Sequence, residues 1–242
     1  SLGSEWAKAD QNDITEALQG ADMVFVTAGM GGGTGTGASP VIAKLAKDAG
    51  ALTIAIVTKP FDFEAKKRLY QAEQGIEELT KEVDSLIVIP NDKLSEIQQI
   101  SGILESFKAA DDVLSKAVRG IADIIVGSGF INVDFADIKK IMQESGGKAL
   151  MGTGDGEGTS RAIEAAENAI TSPLLEDISI DGSTGILINV TASSNFTVAE
   201  LNEACNHIRA RASSEVDLIF GLVINESMGE KVRITVIATG ID

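Results

Sequence analysis

The stretch Gly29-Met-Gly-Gly-Gly-Thr-Gly-Thr-Gly-Ala-Ser-Pro40 decides how the first half of this chain folds. It follows the apolar run Met23–Val26 and leads into the amphipathic stretch Val41–Ala49, which predicts a strand, a glycine-rich turn and a helix. Glycines let backbone N–H groups face an anion with no Cβ in the way, and the helix adds the positive end of its dipole. The stretch therefore predicts a phosphate-binding loop and disfavours a plain surface turn.

Two other glycine-rich motifs compete with this interpretation. No Gly-Lys-Ser/Thr follows at the required spacing, so the loop is not a Walker A loop. Gly33, Gly35 and Ala38 satisfy the relaxed dinucleotide fingerprint G-x-G-x-x-A, which any dense run of glycines produces. An NAD-dependent oxidoreductase of the Rossmann type, with Asp62 or Glu64 as the acid that binds ribose, is therefore one alternative.

Composition excludes several classes of protein. The chain has 242 residues, 44% of them hydrophobic, and a formal net charge of −16, which argues against a partner nucleic acid. A single cysteine excludes an internal disulfide and fits a reducing cytoplasm, and a single histidine leaves too few ligands for a zinc site. No apolar run is long enough to span a bilayer. We expect a cytoplasmic protein that neither binds nucleic acid nor inserts directly into a membrane.

The first half predicts alternating strands and helices, hence a parallel α/β sheet. The expected strands are Met23–Ala28, Leu52–Thr58 and Ser85–Pro90, and the expected helices are Asp10–Gln19, Val41–Ala49, Phe63–Glu82 and Lys93–Gln98. Ile103–Val126 then carries apolar residues at helical spacing for about six turns. A helix this long and apolar predicts a position between layers.

The second half has a different pattern, which predicts an α+β arrangement. Expected helices are Asp134–Ser145, Ser160–Thr171 and Val198–Arg211, and Ala149–Gly158 is expected to form a glycine-rich loop or a short strand. Gly185–Ala192 predicts a strand, and Asp217–Asn225 with Lys231–Thr239 predicts an antiparallel pair. We therefore expect a nucleotide-binding domain over residues 1–102, a connecting helix over 103–127 and an α+β domain over 128–242.

Five separated stretches resemble the bacterial FtsZ branch of the tubulin/FtsZ family of GTPases, and they come in the family's order. They are GMGGGTGTGASP (29–40), VTKPFDFEAKKR (57–68), IPNDKL (89–94), FKAADDVL (107–114) and NVDFAD (132–137), with shorter echoes in MGTG (151–154), SPLLED (172–177) and ITVIATG (234–240). The resemblance implies a Rossmann-like GTPase domain, a central helix and a C-terminal α+β domain. It also implies a division protein that acts at the septum.

The resemblance implies that GTP or GDP is bound with Mg²⁺ by a set of residues in the first half. That set is Gly31, Gly32, Gly33, Thr34, Gly35, Thr36, Gly37, Thr58, Glu64, Arg68, Asn91, Phe107, Asp111 and Asp112. By spacing alone, Glu64 and Arg68 are equally well explained as a routine ion pair at i, i+4. A carboxylate can accept hydrogen bonds from both N–H groups of guanine, and Asp112 matches the family better than Asp111, which stands where Asn is commoner.

Asn132, Asp134 and Asp137 are the predicted catalytic residues. By themselves, such residues at the start of a helix predict capping groups. In the resemblance, their loop enters the nucleotide pocket of the next subunit, where the two acids polarise the attacking water. Hydrolysis would then occur only where subunits meet head to tail, in an open filament. A non-catalytic scaffold of the same family is a further alternative, which the intact set of three residues disfavours.

The resemblance also implies segments that these residues do not contain. Family members begin with further strands and another phosphate loop, and they end with a tail that recruits other division-ring proteins. We therefore expect residues 1–242 alone to bind GTP weakly or not at all, with exposed sheet edges.

Overall fold

A computed structural model describes residues 2–98, 103–126, 131, 133–143, 147–175 and 180–241. The chain divides into two compact units, Ser1–Leu114 and Ser115–Asp242. The boundary falls inside the long helix that the sequence analysis assigns as a connector. Each unit is described by itself below.

The first unit is a three-stranded parallel sheet with helices between its strands. Its elements are α1 (Leu2–Ala9), α2 (Gln11–Leu18), β1 (Met23–Gly29), α3 (Thr34–Asp48), β2 (Leu52–Lys59), α4 (Lys66–Glu82), β3 (Ser85–Pro90), α5 (Asn91–Gln98) and the start of α6 (Ile103–Val126). Strand β2 pairs in parallel with both β1 and β3. Residues Leu52–Thr58 are all buried, as expected of a central strand covered on both faces.

Two predicted helix starts in this unit are wrong. Helix α3 begins at Thr34 rather than Val41, so the glycine-rich stretch itself forms the first turns and Pro40 lies inside the helix. Helix α4 begins at Lys66 rather than Phe63, because residues 61–64 form a tight turn in which the Glu64 N–H donates to the Phe61 carbonyl at 2.9 Å. Helix propensity predicts neither start, because glycine disfavours a helix at residues 34–37 and because the turn at residues 61–64 depends on its own hydrogen bonds.

The second unit is a four-stranded mixed sheet. Its elements are the rest of α6, α7 (Phe135–Gln143), β4 (Gly147–Glu157), α8 (Arg161–Ile170), β5 (Gly185–Ala192), α9 (Val198–Arg209), β6 (Asp217–Ile224) and β7 (Lys231–Thr239), with short 3-10 turns at Pro173–Leu175, Ile180–Gly182 and Glu226–Met228. The strand order is β4-β7-β5-β6. Strand β5 runs parallel to β6 and antiparallel to β7, and β7 runs antiparallel to β4.

The predicted antiparallel pair of β6 with β7 is wrong, because β5 lies between these two strands. Strand β5 is buried along nearly its whole length, whereas much of β6 is only half-buried. The strand order gives β5 a hydrogen-bonded neighbour on each side, which accounts for its greater burial. Adjacent strands in the sequence therefore do not pair, although a short turn joins them.

Residues Ala149–Gly158 contribute to a long strand, β4, rather than to a loop. Every second residue from Gly152 to Gly156 is a glycine, and these glycines lie on the face of β4 that packs against helix α8. A Cβ at Gly154 would lie 2.4 Å from the Ala165 carbonyl oxygen, and one at Gly152 would lie 2.0 Å from that of Ala169. The glycines allow close backbone approach of helix and strand, which is why a strand has a composition typical of a loop.

Candidate functional site

The predicted nucleotide-binding residues of the first unit gather at the carboxyl ends of its parallel strands. Gly29 ends β1, Thr58 lies one residue before the end of β2, and Asn91 directly follows β3. Parallel neighbours end at the same edge of a sheet, and this edge is where open α/β sheets bind ligands. Two predicted contacts, Thr58 and Asn91, therefore share one edge with the predicted phosphate loop that follows Gly29.

The loop between β1 and α3 begins with a tightly held residue, Gly31. Its φ is +97°, and its N–H donates to Thr36 Oγ1 at 2.8 Å. A Cβ at Gly31 would lie 2.7 Å from Pro60 Cγ and 2.9 Å from the Arg68 carbonyl oxygen. Positive φ and the close neighbours both exclude a side chain at this position.

The next part of the loop is open on the side where Cβ atoms would stand, whereas its backbone contacts helix α1, since a Cβ at Gly3 would lie 2.5 Å from the Gly33 carbonyl oxygen. A Cβ at Gly32 or Gly33 would meet nothing within 4 Å, and both residues are exposed together with Thr34. Gly33 is the N-cap of α3, and no side chain caps the first turn. Without a side-chain cap, the first N–H groups of α3 are available to an anion, as at other anion-binding helix termini.

Gly35 and Gly37 belong to the packed side of the same turn. A Cβ at Gly35 would lie 2.6 Å from the Gly29 carbonyl oxygen, and Gly37 is buried. Thr58 attaches the start of the loop to β2, since its carbonyl accepts the Met30 N–H at 3.0 Å. The glycines therefore divide into two groups, those required for packing and those that leave space at the helix terminus.

Glu64 and Arg68 form the expected ion pair, through Glu64 Oε2 and Arg68 Nη1. Glu64 lies in the turn before α4 and not on the helix, and its other oxygen accepts the Phe61 N–H at 3.1 Å. The Glu64 side chain is 11% exposed and that of Arg68 is 57% exposed. The arrangement holds the acid in place and leaves much of the guanidinium accessible to an anion.

An aromatic cluster that the sequence analysis did not single out lies beside this pair. The rings of Phe61 and Phe63 stack with centroids 4.9 Å apart, and Phe107 meets Phe61 edge-on at 5.3 Å. Phe107 is 42% exposed. The alternation Phe61-Asp-Phe63 before a basic helix was the signal available in the sequence. Phe107 thus has a packing role and an open surface at the same time.

Asp111 and Asp112 follow Phe107 by about one helical turn on α6, and both are exposed. Within the described part of the chain, no hydrogen bond or ion pair engages either carboxylate. Both remain available to a ligand, and the geometry of this unit does not distinguish between them.

Asn91 is a buried polar residue whose side chain is not satisfied. It is 6% exposed, and its Oδ1 has no hydrogen-bond partner among the described residues. Leaving a buried acceptor unpaired costs about 1–3 kcal/mol. A ligand with an N–H or O–H donor, such as a base or a sugar, would satisfy it.

The predicted catalytic acids lie in the second unit, at the start of α7. Asp134 Oδ1 accepts the Ala136 N–H at 3.0 Å, which is the helix-capping role considered in the sequence analysis. Asp137 lies in the first turn and is exposed, and no described side chain engages its carboxylate. Asn132 lies outside the described residues.

The described residues contain no group of three or more metal-ligating side chains, so a cation here would need ligand oxygens from elsewhere. None of the helices in these ranges combines the length and apolar character needed to cross a membrane.

Comparisons with known proteins identify the family of this chain. The family model described as the Tubulin/FtsZ family GTPase domain matches residues 1–99, and that of the FtsZ family C-terminal domain matches residues 147–242. The chain is 52% identical over 242 residues to the cell division protein FtsZ of Wigglesworthia glossinidia brevipalpis. The match covers 99% of this chain and 62% of that relative, so the chain spans less than two thirds of its length.

Solved structures show the same relationship. An empty FtsZ dimer from M. jannaschii is 44% identical and superposes with a TM-score of 0.95, covering 99% of this chain and 69% of that one. CetZ from Methanosaeta thermophila shares the fold at 19% identity, with a TM-score of 0.81 over 99% of this chain and 68% of its own. The NAD-dependent alternative is not supported, and the chain belongs to the FtsZ branch of the tubulin/FtsZ family of GTPases.

Proposed function

We propose that the protein binds GTP at the carboxyl ends of β1, β2 and β3 and hydrolyses it where two copies meet head to tail. The observation that carries the proposal is the open first turn of α3, where two exposed glycines and an uncapped helix terminus leave room for phosphate. Family membership supplies the nucleotide class, since the matching family model is that of a GTPase domain.

The phosphates would lie against Gly32, Gly33 and Thr34, with Arg68 reaching their oxygens from the side. Their negative charge suits the helix terminus and the exposed guanidinium. Mg²⁺ would accompany the nucleotide and take most of its ligands from phosphate oxygens and water, as this ion usually does. The shortage of clustered acidic ligands in the described residues is compatible with that arrangement.

The base would lie between Phe107 and the carboxylates of α6. Asp112 would accept both N–H groups of guanine, which adenine cannot offer, and Asn91 Oδ1 would receive a donor from the base or the sugar. Glu64 would contact the ribose from the turn before α4. The role of Asp111 beside Asp112 is the least defined of these contacts.

The catalytic acids would act on the nucleotide of a neighbouring copy. Asp137 is the stronger candidate, because its carboxylate is exposed and no described side chain engages it, whereas Asp134 Oδ1 accepts a hydrogen bond from the first turn of its own helix. Phosphoryl transfer depends mainly on positioning and charge, so an acid supplied across an interface couples hydrolysis to assembly. Head-to-tail contacts of this kind repeat without closing and give filaments.

In the cell, these filaments would form the division ring at the septum. The curated relative is a cell division protein, and one matching solved structure is a dimer. Other division-ring proteins would bind through segments outside residues 1–242.

The test is the substitution Asp137→Ala in the protein expressed from its whole gene. GTP affinity should stay within about twofold and turnover should fall by about a hundredfold or more, because the acid aids water attack without holding the nucleotide. Fluorescent-nucleotide binding and phosphate release measure the two quantities. Glu203→Ala, which removes an exposed acid from α9, is the control and should change neither. Loss of GTP binding in Asp137→Ala would refute the assignment of this acid to a neighbour's nucleotide.

The expectation that residues 1–242 alone bind GTP weakly stays a prediction. Calorimetric titration of that chain with GTP is the direct measurement, and micromolar affinity would contradict it.

A further inference from the structure

The segment Pro60–Arg68 forms one wall of the candidate phosphate site. Both ends of the segment approach the same point of the loop, since a Cβ at Gly31 would lie within 3 Å of Pro60 Cγ and of the Arg68 carbonyl oxygen. The segment also carries Glu64 and Arg68, the two charged residues assigned to the nucleotide. Its position therefore decides where these two side chains stand relative to the phosphates.

Part of this position is determined within the segment itself. The Glu64 N–H donates to the Phe61 carbonyl at 2.9 Å, and Glu64 Oε1 accepts the Phe61 N–H at 3.1 Å. These two bonds define the shape of the turn. They do not attach the turn to the rest of the unit.

A carboxylate from a different element provides such an attachment. Asp92, in the first turn of α5, accepts the Asp62 N–H through Oδ2 at 3.0 Å. Asp92 directly follows Asn91, the buried residue whose Oδ1 lacks a partner, so the attachment begins beside another candidate contact. The bond joins the carboxyl end of β3 to the segment that follows β2.

The surroundings of Asp92 are unfavourable for a charge. Burial raises the pKa of Asp92 most, the Asp62 N–H opposes this rise, and the negative charge of Asp62 adds to it. Burial and a neighbouring acid both disfavour the charged form of a carboxylate, and the hydrogen bond from the Asp62 N–H offsets only part of this cost. The arrangement suggests that the position of the acceptor matters more than local electrostatic stability.

We propose that Asp92 is a positioning residue of the nucleotide site, which holds the Pro60–Arg68 segment against the phosphate loop by accepting the Asp62 N–H. This inference rests on the proposed function. Asp92 itself does not touch the nucleotide, and it acts through the placement of Glu64 and Arg68.

The experiment compares Asp92→Ala with Asp92→Asn in the protein expressed from its whole gene. Asp92→Ala removes the acceptor and should weaken binding of fluorescent GTP by about tenfold, the lower end of the effect of one lost hydrogen bond to a charged group. Asp92→Asn keeps an acceptor oxygen and should restore affinity to within about twofold of the wild type. Hydrogen exchange of a peptide covering residues 60–68 should speed up in Asp92→Ala and not in Asp92→Asn.

Asp84→Ala is the matched control. Asp84 also accepts a backbone N–H through Oδ2, that of Thr53 at 2.9 Å, but it does so at the opposite end of the strands. Its substitution should lower the melting temperature without changing GTP affinity. Should Asp92→Ala not fold, Asp92→Ser provides the same comparison, because its shorter side chain does not reach Asp62.

The outcomes separate this inference from the proposed function. A wild-type protein that does not bind GTP would refute the proposed function itself. The positioning role alone would be overturned if Asp92→Ala bound GTP as tightly as the wild type does. It would also be overturned if hydrogen exchange of the Pro60–Arg68 segment were unchanged in Asp92→Ala. Equal losses of affinity in Asp92→Ala and Asp84→Ala would also overturn it, since they would indicate a general loss of stability.

Discussion

Gly31 and Gly32 are neighbours in the loop with opposite requirements. Gly31 has positive φ and lies against Pro60 and the Arg68 carbonyl, so the fold itself needs glycine there. Gly32 has ordinary φ and open space where a Cβ would stand, so the fold does not need glycine. We infer that position 32 requires glycine because the phosphates of the ligand occupy the space where a Cβ would stand.

Alanine substitutions at these two positions should affect different properties, the stability of the fold at Gly31 and GTP binding at Gly32. Gly31→Ala should lower the free energy of unfolding by about 1–3 kcal/mol, because the residue is strained and its Cβ collides with backbone. Gly32→Ala should change stability by less than about 0.5 kcal/mol and still weaken GTP binding about tenfold or more, because its methyl group occupies the phosphate space. Urea unfolding and fluorescent-nucleotide titration measure the two effects. A Gly32→Ala protein with normal GTP affinity would contradict our placement of the phosphates.

Helices α8 and α9 of the second unit are joined by a buried arginine. Arg161 Nε donates to Glu200 Oε1 at 2.7 Å, Nη2 reaches the Asn195 carbonyl at 3.3 Å, and the guanidinium lies 5.7 Å from the Phe196 ring centroid. Glu200 also completes a capping box with Thr197 at the start of α9. One carboxylate therefore neutralises a buried charge and caps a helix.

The Arg161–Glu200 ion pair predicts that the fold loses stability at acidic pH. The hydrogen bond from Arg161 lowers the pKa of Glu200 from 4.5 to about 2. Because the pKa of Glu200 is lower in the folded than in the unfolded state, the ionised carboxylate stabilises the fold at pH values above 4.5. This contribution is lost as pH falls from 4.5 towards 2. The full contribution is about 3 kcal/mol, since one unit of pKa corresponds to about 1.4 kcal/mol and the Glu200 side chain is only 20% exposed.

Glu200→Gln removes this dependence and leaves Arg161 with Glu230, at 3.6 Å, as its remaining counter-charge. At pH 6 the variant should be about 3 kcal/mol less stable than the wild type, and the difference should shrink between pH 4.5 and pH 3. Chemical unfolding across this pH range is the measurement. Glu203→Gln, an exposed acid on the same helix, is the control and should match the wild type at every pH. A difference that stays constant with pH would show that Glu200 does not act through its charge.

The two compact units carry different parts of the proposed reaction. The residues assigned to the nucleotide lie in Ser1–Leu114, and the acids Asp134 and Asp137 lie in Ser115–Asp242. In the proposed head-to-tail filament, the second unit of one copy serves the nucleotide held by the first unit of the next. The molecule alone then lacks a complete catalytic site, and assembly supplies it.

This division predicts that two inactive variants should restore each other's activity. Asp137→Ala keeps its GTP site and lacks the acid, whereas Gly32→Ala keeps the acid and holds almost no GTP at a GTP concentration well below its raised Kd. Mixed in equal amounts, they should recover up to about a quarter of the wild-type turnover, the share of head-to-tail contacts that pair a bound GTP with an intact acid. Phosphate release from the mixture and from each variant alone is the measurement. A mixture as inactive as its components would indicate that Asp137 serves its own subunit.

Much of this protein follows from local sequence. The pattern of apolar strands and intervening helices determined the parallel sheet of the first unit, and the motifs determined the family, because both depend on residues that are close in the chain. The phosphate loop, Thr58 and Asn91 stood at strand ends, where chain geometry alone brings them to one edge of a sheet.

The tertiary structure decided what depends on distant neighbours. It placed β5 between β6 and β7, turned the glycines of β4 into a close contact with α8, and divided the loop glycines between packing and open space. It also attached Asp92 to the Asp62 N–H, a contact across 30 positions of sequence. Strand partners, close approaches and buried hydrogen bonds are properties of pairs of residues far apart in sequence, and a single sequence specifies them only through the packing of the whole unit.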